Sequence, residues 1–297
     1  MYPRPFTYHR ATSLREAAGT LAELGPEAKL LAGGQSLVPL MKLRLSSPTA
    51  LIDLGHIRGL DFIKDESGAI RIGALARHSD VERSPIARRI PILRDCASGI
   101  ADVQVRNWGT VVGSIAEADP TGDWAPVLLV LDTDVECLSS NGRRSVALPS
   151  FIKDAFTTAL TAGEVIEQLR IKAPESKSGG CYLAFKRCAP VYASASVAVQ
   201  LAMDGRVCRQ AKVALGAVAL TPVPADEAAR ALQGSDLNAK AVAAAAEAAS
   251  AACEPPSDGR GSSEYKRALI RKLFIEAVSA AARRAWGEDV EVSHHYA

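Results

Sequence analysis

Residues 29–39 read K-L-L-A-G-G-Q-S-L-V-P, two adjacent glycines directly behind a short apolar run. Without a Cβ at Gly33 or Gly34 the backbone can take positive φ, and successive N–H groups can converge on one anion. Such a nest suits a phosphate. Gln35 and Ser36 add side-chain donors, and Lys42 and Arg44 bring positive charge beyond Pro39. The alternative reading is a tight strand-to-loop turn without a ligand. A second stretch, residues 109–124, reads G-T-V-V-G-S-I-A-E-A-D-P-T-G-D-W. Here Thr110, Gly113 and Ser114 are small or hydroxylated enough to let a polyanion approach, and Asp123 could accept from ribose or ribityl hydroxyls. Its alternative is a helix start, since Asp119-Pro120 followed by Asp123 and an apolar run is ordinary capping chemistry. Neither G-x-G-x-x-G nor G-x-x-x-x-G-K-[ST] occurs in these stretches, which removes the common dinucleotide and ATPase readings.

Other chemistries find little support. Cys96, Cys137, Cys181, Cys188, Cys208 and Cys253 include no C-x-x-C pair, so no zinc ribbon or iron–sulfur cluster is carried locally, and scattered thiols suit a reducing cytoplasm. The histidines are dispersed, with His294 and His295 in an expected tail, and no metal site is predicted. Asp119 and Asp123 lack the separate cleft that a paired-carboxylate hydrolase needs, and no G-x-S-x-G elbow is present. No catalytic residue is assigned. The charge balance of 35 Lys and Arg against 33 Asp and Glu, net +2, leaves no basic stripe for a phosphate backbone and argues against nucleic acid. The amino-terminal residues from Met1 to Phe6 contain no secretory apolar core. The longest apolar run, 125–131, is far short of the ~20 residues that span a bilayer. The expectation is a cytoplasmic protein without a transmembrane segment.

The elements that must position the two stretches follow from periodicity. At 297 residues the chain has room for roughly two domains of about 150 residues, and 48% hydrophobic with 23% charged residues suits a folded core. Leu14, Ala17, Ala18, Leu21 and Leu24 recur at helical spacing behind Ser13, and Gly25-Pro26 stops that helix. Strands are predicted at 28–32, 50–54, 70–74 and 134–138, and helices from His78 and over 90–101, with 127–131 left as an apolar segment. After Lys172 the polar run P-E-S-K-S-G-G marks a boundary. Beyond it, 197–203 and 207–219 flank Asp204-Gly205 and predict a hairpin. Helices follow at 240–252 and 264–285, the first nearly all alanine and so able to approach a neighbouring sheet closely. Arg271-Lys272 and Arg283-Arg284 read as a solvated face of the last helix.

Three strings taken together resemble a known family: A-G-G-Q-S-L-V-P-L-M-K-L-R from Ala32, G-T-V-V-G-S-I-A-E-A-D-P-T-G-D from Gly109, and Y-x-x-F-K-R from Tyr182. They are similar to the FAD-binding medium subunit of the molybdenum hydroxylases, the group that includes the flavoprotein subunits of carbon monoxide and aromatic-heterocycle dehydrogenases and the flavin domain of xanthine dehydrogenase. S-S-E-Y-K-R at 262–267 falls in the family's order, and the resemblance covers essentially the whole chain.

The resemblance implies an α+β fold: a FAD-binding domain of the PCMH type over 1–175, built of subdomains 1–57 and 58–175, then a C-terminal domain with a small antiparallel sheet and helices over 176–287, and a tail over 288–297. It places Leu30, Leu31, Ala32, Gly33, Gly34, Gln35, Ser36 and Leu37 around the FAD diphosphate. Thr110, Gly113 and Ser114 match the second loop, Asp123 the aspartate that binds the cofactor's sugar-alcohol portion, Lys186 a lysine near the isoalloxazine, and Tyr192 a tyrosine by the ring. Val112 stands where the family has a glycine. A branched side chain disfavours positive φ, so an extended or shifted backbone is expected there. The implied assembly adds a large molybdenum-cofactor subunit and a small subunit with [2Fe-2S] clusters, in a dimer of heterotrimers, with an interface above ~2,000 Å². The other readings are a stand-alone FAD oxidase and a scaffold subunit without cofactor.

Overall fold

The computed structural model describes residues 2–66 and 68–297; Met1 and Ser67, both within the expected first domain, lie outside the described residues. The first part is a three-stranded parallel sheet of β1 (Thr7–Arg10), β2 (Ala28–Leu31) and β3 (Ala50–Asp53) in the order β1-β3-β2. Helix α1 (Leu14–Leu24) crosses between β1 and β2, its Ser13 cap accepting from the Glu16 N–H at 3.1 Å, and Gly25 at φ +73° ends it. Its buried stripe of Leu14, Ala17 and Ala18 packs with Ile52 of this sheet and with Leu138 and Val165 of the next. Because the strands run parallel, β2 delivers Gly33-Gly34 at the sheet's carboxyl edge, just before α2 (Leu37–Lys42).

The second part is an antiparallel sheet of order β4-β5-β10-β6-β7, made of β4 (Ile63–Glu66), β5 (Ala69–Gly73), β6 (Thr133–Ser139), β7 (Gly142–Ala147) and β10 (Val165–Lys172). Between β5 and β6 run six helices: α3 (His78–Arg83), α4 (Pro85–Arg89), α5 (Pro91–Ser98), α6 (Val103–Trp108), α7 (Val111–Glu117) and α8 (Trp124–Val130). The apolar segment at 127–131 thus falls mostly in α8, where Trp124, Val127 and Leu128 join a core with Ile70, Ile72 and Phe151. A short helix α9 (Leu148–Phe151) and the ribbon of β8 (Ile152–Asp154) and β9 (Thr157–Thr158) connect β7 to β10.

The third part is the sheet β14-β13-β12-β11-β15. Its centre is β11 (Ser178–Lys186), β12 (Ala195–Asp204) and β13 (Val207–Gly216), with β14 (Val223–Pro224) at one edge and β15 (His295–Tyr296) at the other. The hairpin forms as predicted, but Asp204 pairs with Val207, so Gly205-Arg206 make the turn and Gly205 supplies the positive φ of +57°. The alanine-rich helix does not approach the sheet as expected. Helix α11 (Ala239–Ala251) packs between α10 (Asp226–Leu232) and α12 (Ser263–Ala285), and α12 lies on β11 and β12. Only α12 carries the Leu269, Leu273, Phe274 and Val278 needed to fill that interface. Close approach comes instead from the strand: a Cβ on Gly179 would sit 2.1 Å from the Ala281 carbonyl oxygen. The expected tail is also docked, β15 pairing in parallel with the end of β11.

One ion pair ties the second part to the third. Arg284 of α12, expected on a solvated face, is buried and bidentate on Asp95 of α5 (2.6 and 2.9 Å), and it also donates to the Gly180 and Val290 carbonyls. Asp95 accepts in addition from the Tyr182 N–H at 3.1 Å. Burial lifts the Asp95 carboxyl above its usual range, and Arg284 pulls it back. Arg284→Ala leaves a buried carboxylate without its partner, and a loss of about 3–5 kcal/mol in urea-unfolding stability is expected. The double variant Asp95→Leu/Arg284→Met should recover much of it; equal stability of Arg284→Ala and wild type would contradict this account.

Candidate flavin site

The first glycine loop is held open by contact with the second stretch. A Cβ on Gly33 would lie 2.1 Å from the Trp108 carbonyl oxygen and 2.8 Å from the Gly109 Cα, so the backbones of 33 and 108–109 touch only because Gly33 is bare. Gly34 follows at φ +70° and the chain turns into α2. Val38 N–H returns to the Gly34 carbonyl at 3.0 Å, while the N–H groups of Gly33, Gly34, Gln35, Ser36 and Leu37 have no protein acceptor among the described residues. Five consecutive donors without acceptors, on a loop that is only partly buried, are the chemistry of an anion cradle. Gln35 turns its amide back to the Gly33 carbonyl (3.1 Å), which stiffens the loop and commits one of that side chain's two N–H donors.

The second stretch folds differently from the expectation. Val112 is neither extended nor shifted: it is buried inside helix α7, with no positive φ. The helix begins at Val111, so the position that would need a glycine in a turn becomes an ordinary helical one, which a branched residue tolerates. Thr110 is the cap, its Oγ1 accepting from the Gly113 N–H at 3.1 Å, and Ser114 Oγ donates to the Thr110 carbonyl at 3.4 Å. A Cβ on Gly113 would lie 2.6 Å from that Thr110 hydroxyl. Thr110, Gly113 and Ser114 therefore stand beside the first loop, but their polar atoms are turned largely onto one another.

Asp123 and Lys186 meet in the interior. Lys186 ends β11 and is 1% exposed. It donates to Asp123 Oδ2 at 2.9 Å and to the Gly99 carbonyl at 2.7 Å, and Tyr182 Oη donates to Asp123 Oδ1 at 2.5 Å. Asp123 sits at the N-cap position of α8 but makes no side-chain capping bond, and Asp119, which accepts from the Thr121 N–H at 2.8 Å, closes a local turn rather than capping a helix. Each Asp123 oxygen thus already holds one protein donor, and the carboxylate reads first as the partner of a buried lysine. Burial, helped by the Asp123 charge, pushes the Tyr182 phenol and the Cys96 thiol beside this cluster well up. Tyr192 spans the two regions. Burial of its hydroxyl end raises its pKa, the Asp119, Glu117 and Asp123 carboxylates add to this, and a hydrogen bond with Ser36 opposes them. Its ring remains 47% exposed, with the Arg260 guanidinium 5.9 Å from the ring centroid.

Three groups of this region were given no role by the sequence. Tyr182 enters it only as the first residue of the Y-x-x-F-K-R string, and its bond to Asp123 is recognisable only once β11 faces α8. His78 and Trp124 are the others: Trp124 Nε1–H donates to His78 Nδ1 at 3.1 Å, which fixes the neutral tautomer with the proton on Nε2, beside Gly109. A large cavity of about 1020 Å³ lies elsewhere, between α4, α5, residues 173–180 and residues 287–293. Its charged walls largely pair with neighbours, Asp65 with Arg89, Arg94 with Glu291 and Glu175 with Arg209, so it offers no anion cradle. Among the described residues no group of three or more His, Cys, Asp or Glu could hold a metal, and no helix is long and apolar enough to cross a membrane.

A loop of main-chain donors without protein acceptors at a parallel sheet's edge, with a buried Lys–Asp–Tyr cluster and a partly exposed tyrosine, is the donor set of a protein that can take a nucleotide cofactor through its backbone. Residues 4–174 match the family described as FAD binding domain in molybdopterin dehydrogenase, and residues 180–281 match the CO dehydrogenase flavoprotein C-terminal domain. The chain belongs to this family and is a FAD-binding medium subunit of the molybdenum hydroxylase type. It is 37% identical to the carbon monoxide dehydrogenase medium chain of Afipia carboxidovorans, covering 96% of this chain and 99% of that one. It is 36% identical to the glyceraldehyde dehydrogenase medium chain of Sulfolobus acidocaldarius, over 95% and 100%. A chain of quinoline 2-oxidoreductase from Pseudomonas putida 86 superimposes with a TM-score of 0.91 at 34% identity, over 96% and 99%.

His78 makes the site's stability testable by pH. Burial holds its pKa down at about 4 against an ordinary 6.5. The unfolded chain therefore takes up the proton first, so the full contribution is present above pH 6.5 and is lost as the pH falls from there to about 4. The expected loss is on the order of 3 kcal/mol in urea unfolding. His78→Gln should flatten that slope; an unchanged slope would show that other groups cause it.

Proposed function

We propose that the Gly33–Ser36 loop is the diphosphate cradle of FAD, flanked by Leu30, Leu31, Ala32 and Leu37, with Thr110, Gly113 and Ser114 forming its second wall. In the same reading Asp123, Lys186 and Tyr192 stand by the ribityl and ring portions. The observation that carries the proposal is the run of five main-chain N–H groups without a protein acceptor, on a loop that a Cβ at Gly33 would force away from Trp108 and Gly109. When bound, the flavin supplies a carrier that accepts single electrons and delivers one or two. The chain's own residues bind and orient. Main-chain donors hold the anion without a charged side chain, Gln35 stiffens the turn, and Lys186 brings a positive charge fixed by Asp123 and Gly99 rather than by solvent.

In this role the chain takes electrons from the [2Fe-2S] clusters of a small subunit and passes them to an external acceptor, while substrate is hydroxylated at the molybdenum cofactor of a large subunit. We place it in the cytoplasm, in a dimer of heterotrimers. The substrate of the assembly is an aromatic N-heterocycle, a related small molecule or carbon monoxide. Similar medium chains belong to enzymes named for carbon monoxide and glyceraldehyde, and a similarly folded chain to one named for quinoline, which supports a common electron-transfer module rather than a substrate-selecting one. We divide the chain into 1–175, with subdomains 1–57 and 58–175, then 176–287 and 288–297.

Gly33→Val and Gly34→Val should each lower retained FAD per chain, read by absorbance after gel filtration, by more than about tenfold, because one drives the loop off the Trp108–Gly109 backbone and the other disfavours φ +70°. Wild-type flavin content in both variants would refute the cradle. Lys186→Ala should shift the flavin midpoint potential more than it lowers occupancy; loss of occupancy with unaltered potential would refute its placement near the ring.

A further inference from the structure

We infer that residues 294–297 form a positioning strand that holds the Lys186–Asp123–Tyr182 cluster in place, with His294 as its key residue. The segment lies beyond both matched domains, which end at 174 and 281. Its significance for the flavin rests on the placement of Lys186 proposed above.

The segment's contacts fall on β11, which carries Tyr182 and Lys186, on α5 and the Gly99 turn behind it, and on α12. His294 Nδ1 accepts from the Ala184 N–H at 3.1 Å, and Nε2 donates to the Asp95 carbonyl at 2.8 Å. The His294 ring stands edge-on to Tyr182, centroids 5.6 Å apart at 70°, on the ring whose hydroxyl holds Asp123. The seat is built for it: a Cβ on Gly99 would lie 2.0 Å from His294 Nε2, and the carbonyl of that same Gly99 accepts from Lys186 Nζ. Beyond His294, Phe185 pairs with His295 and Lys186 with Tyr296, and the Ala297 N–H closes on the Lys186 carbonyl at 3.1 Å. His295 is anchored to Glu276 of α12 at 2.6 Å. The strand thus covers the otherwise unpaired edge of β11 over Ala184–Lys186. Without it that edge frays into solvent, as unpaired strand ends do, and the lysine loses its fixed direction.

The test uses the full chain, the variant lacking 294–297, and His294→Ala. Lys186 reactivity is read in the flavin-free protein by site-resolved acetylation and mass spectrometry. Lys266, equally buried at 1% and held by the Pro256 carbonyl and Asp258, serves as internal reference. Both variants are expected to acetylate Lys186 about 5- to 10-fold faster, the change expected when one or two hydrogen bonds no longer oppose local opening, with Lys266 unchanged. With FAD bound, the midpoint potential should move in the direction of Lys186→Ala. Unchanged protection of Lys186, or loss of protection at Lys186 and Lys266 together, would overturn the inference. Faster Lys186 acetylation with flavin content and potential unaltered would support the strand's role and refute the placement of Lys186 by the flavin.

Discussion

A lysine with 1% exposure can persist in a protein interior only if its charge is matched and every donor is directed, because desolvation costs several kcal/mol per ion. Lys186 meets that condition with groups from two places far apart in the chain, Asp123 at the start of α8 and the Gly99 carbonyl just after α5. The strand that carries it must therefore lie against those helices in one register. That single demand sets how the third part sits on the second, and the other features of the interface serve it.

Arg284 and Asp95 act as a second clamp some distance along the same contact, with Asp95 also fixing the Tyr182 backbone. Gly179 keeps β11 close to α12 where any side chain would push it away: its Cβ would meet the Ala281 carbonyl oxygen at 2.1 Å. Asp95, Asp123, Lys186 and Arg284 each find their partners on other elements, which makes the arrangement specific as well as stable. The anion cradle is a different kind of structure. It lies on the small parallel sheet, is built of backbone, and reaches the second part through the touching backbones of Gly33 and Trp108–Gly109.

This separation suits an electron-transfer chain. In the proposed site, main-chain donors would grip an anionic cofactor without adding a titrating group, while a fixed positive charge deeper in the protein would be available to set its electronics. Substrate chemistry can then change in a partner subunit while the flavin module keeps its construction.

Much of this was legible before any coordinates. Ser13 and the 3.6-residue spacing behind it set α1, the glycine pair marked the turn between β2 and α2, and Asp204-Gly205 located the hairpin to within one residue, because these signals depend on neighbours in the chain. Similarity of the three glycine and lysine strings also carried the family. Tertiary structure decided the rest. Val112 is helical because Thr110 caps a helix that starts at Val111, α11 is kept from the sheet because α12 has the larger side chains, and Arg284 is buried because Asp95 waits on another helix. Asp123 turns away from its local capping role for a lysine on a distant strand, and the short polar run at 294–297 becomes a strand only because β11 offers it an edge. Local propensity settles elements; a charge or an edge is settled only by the partner that the fold brings to it.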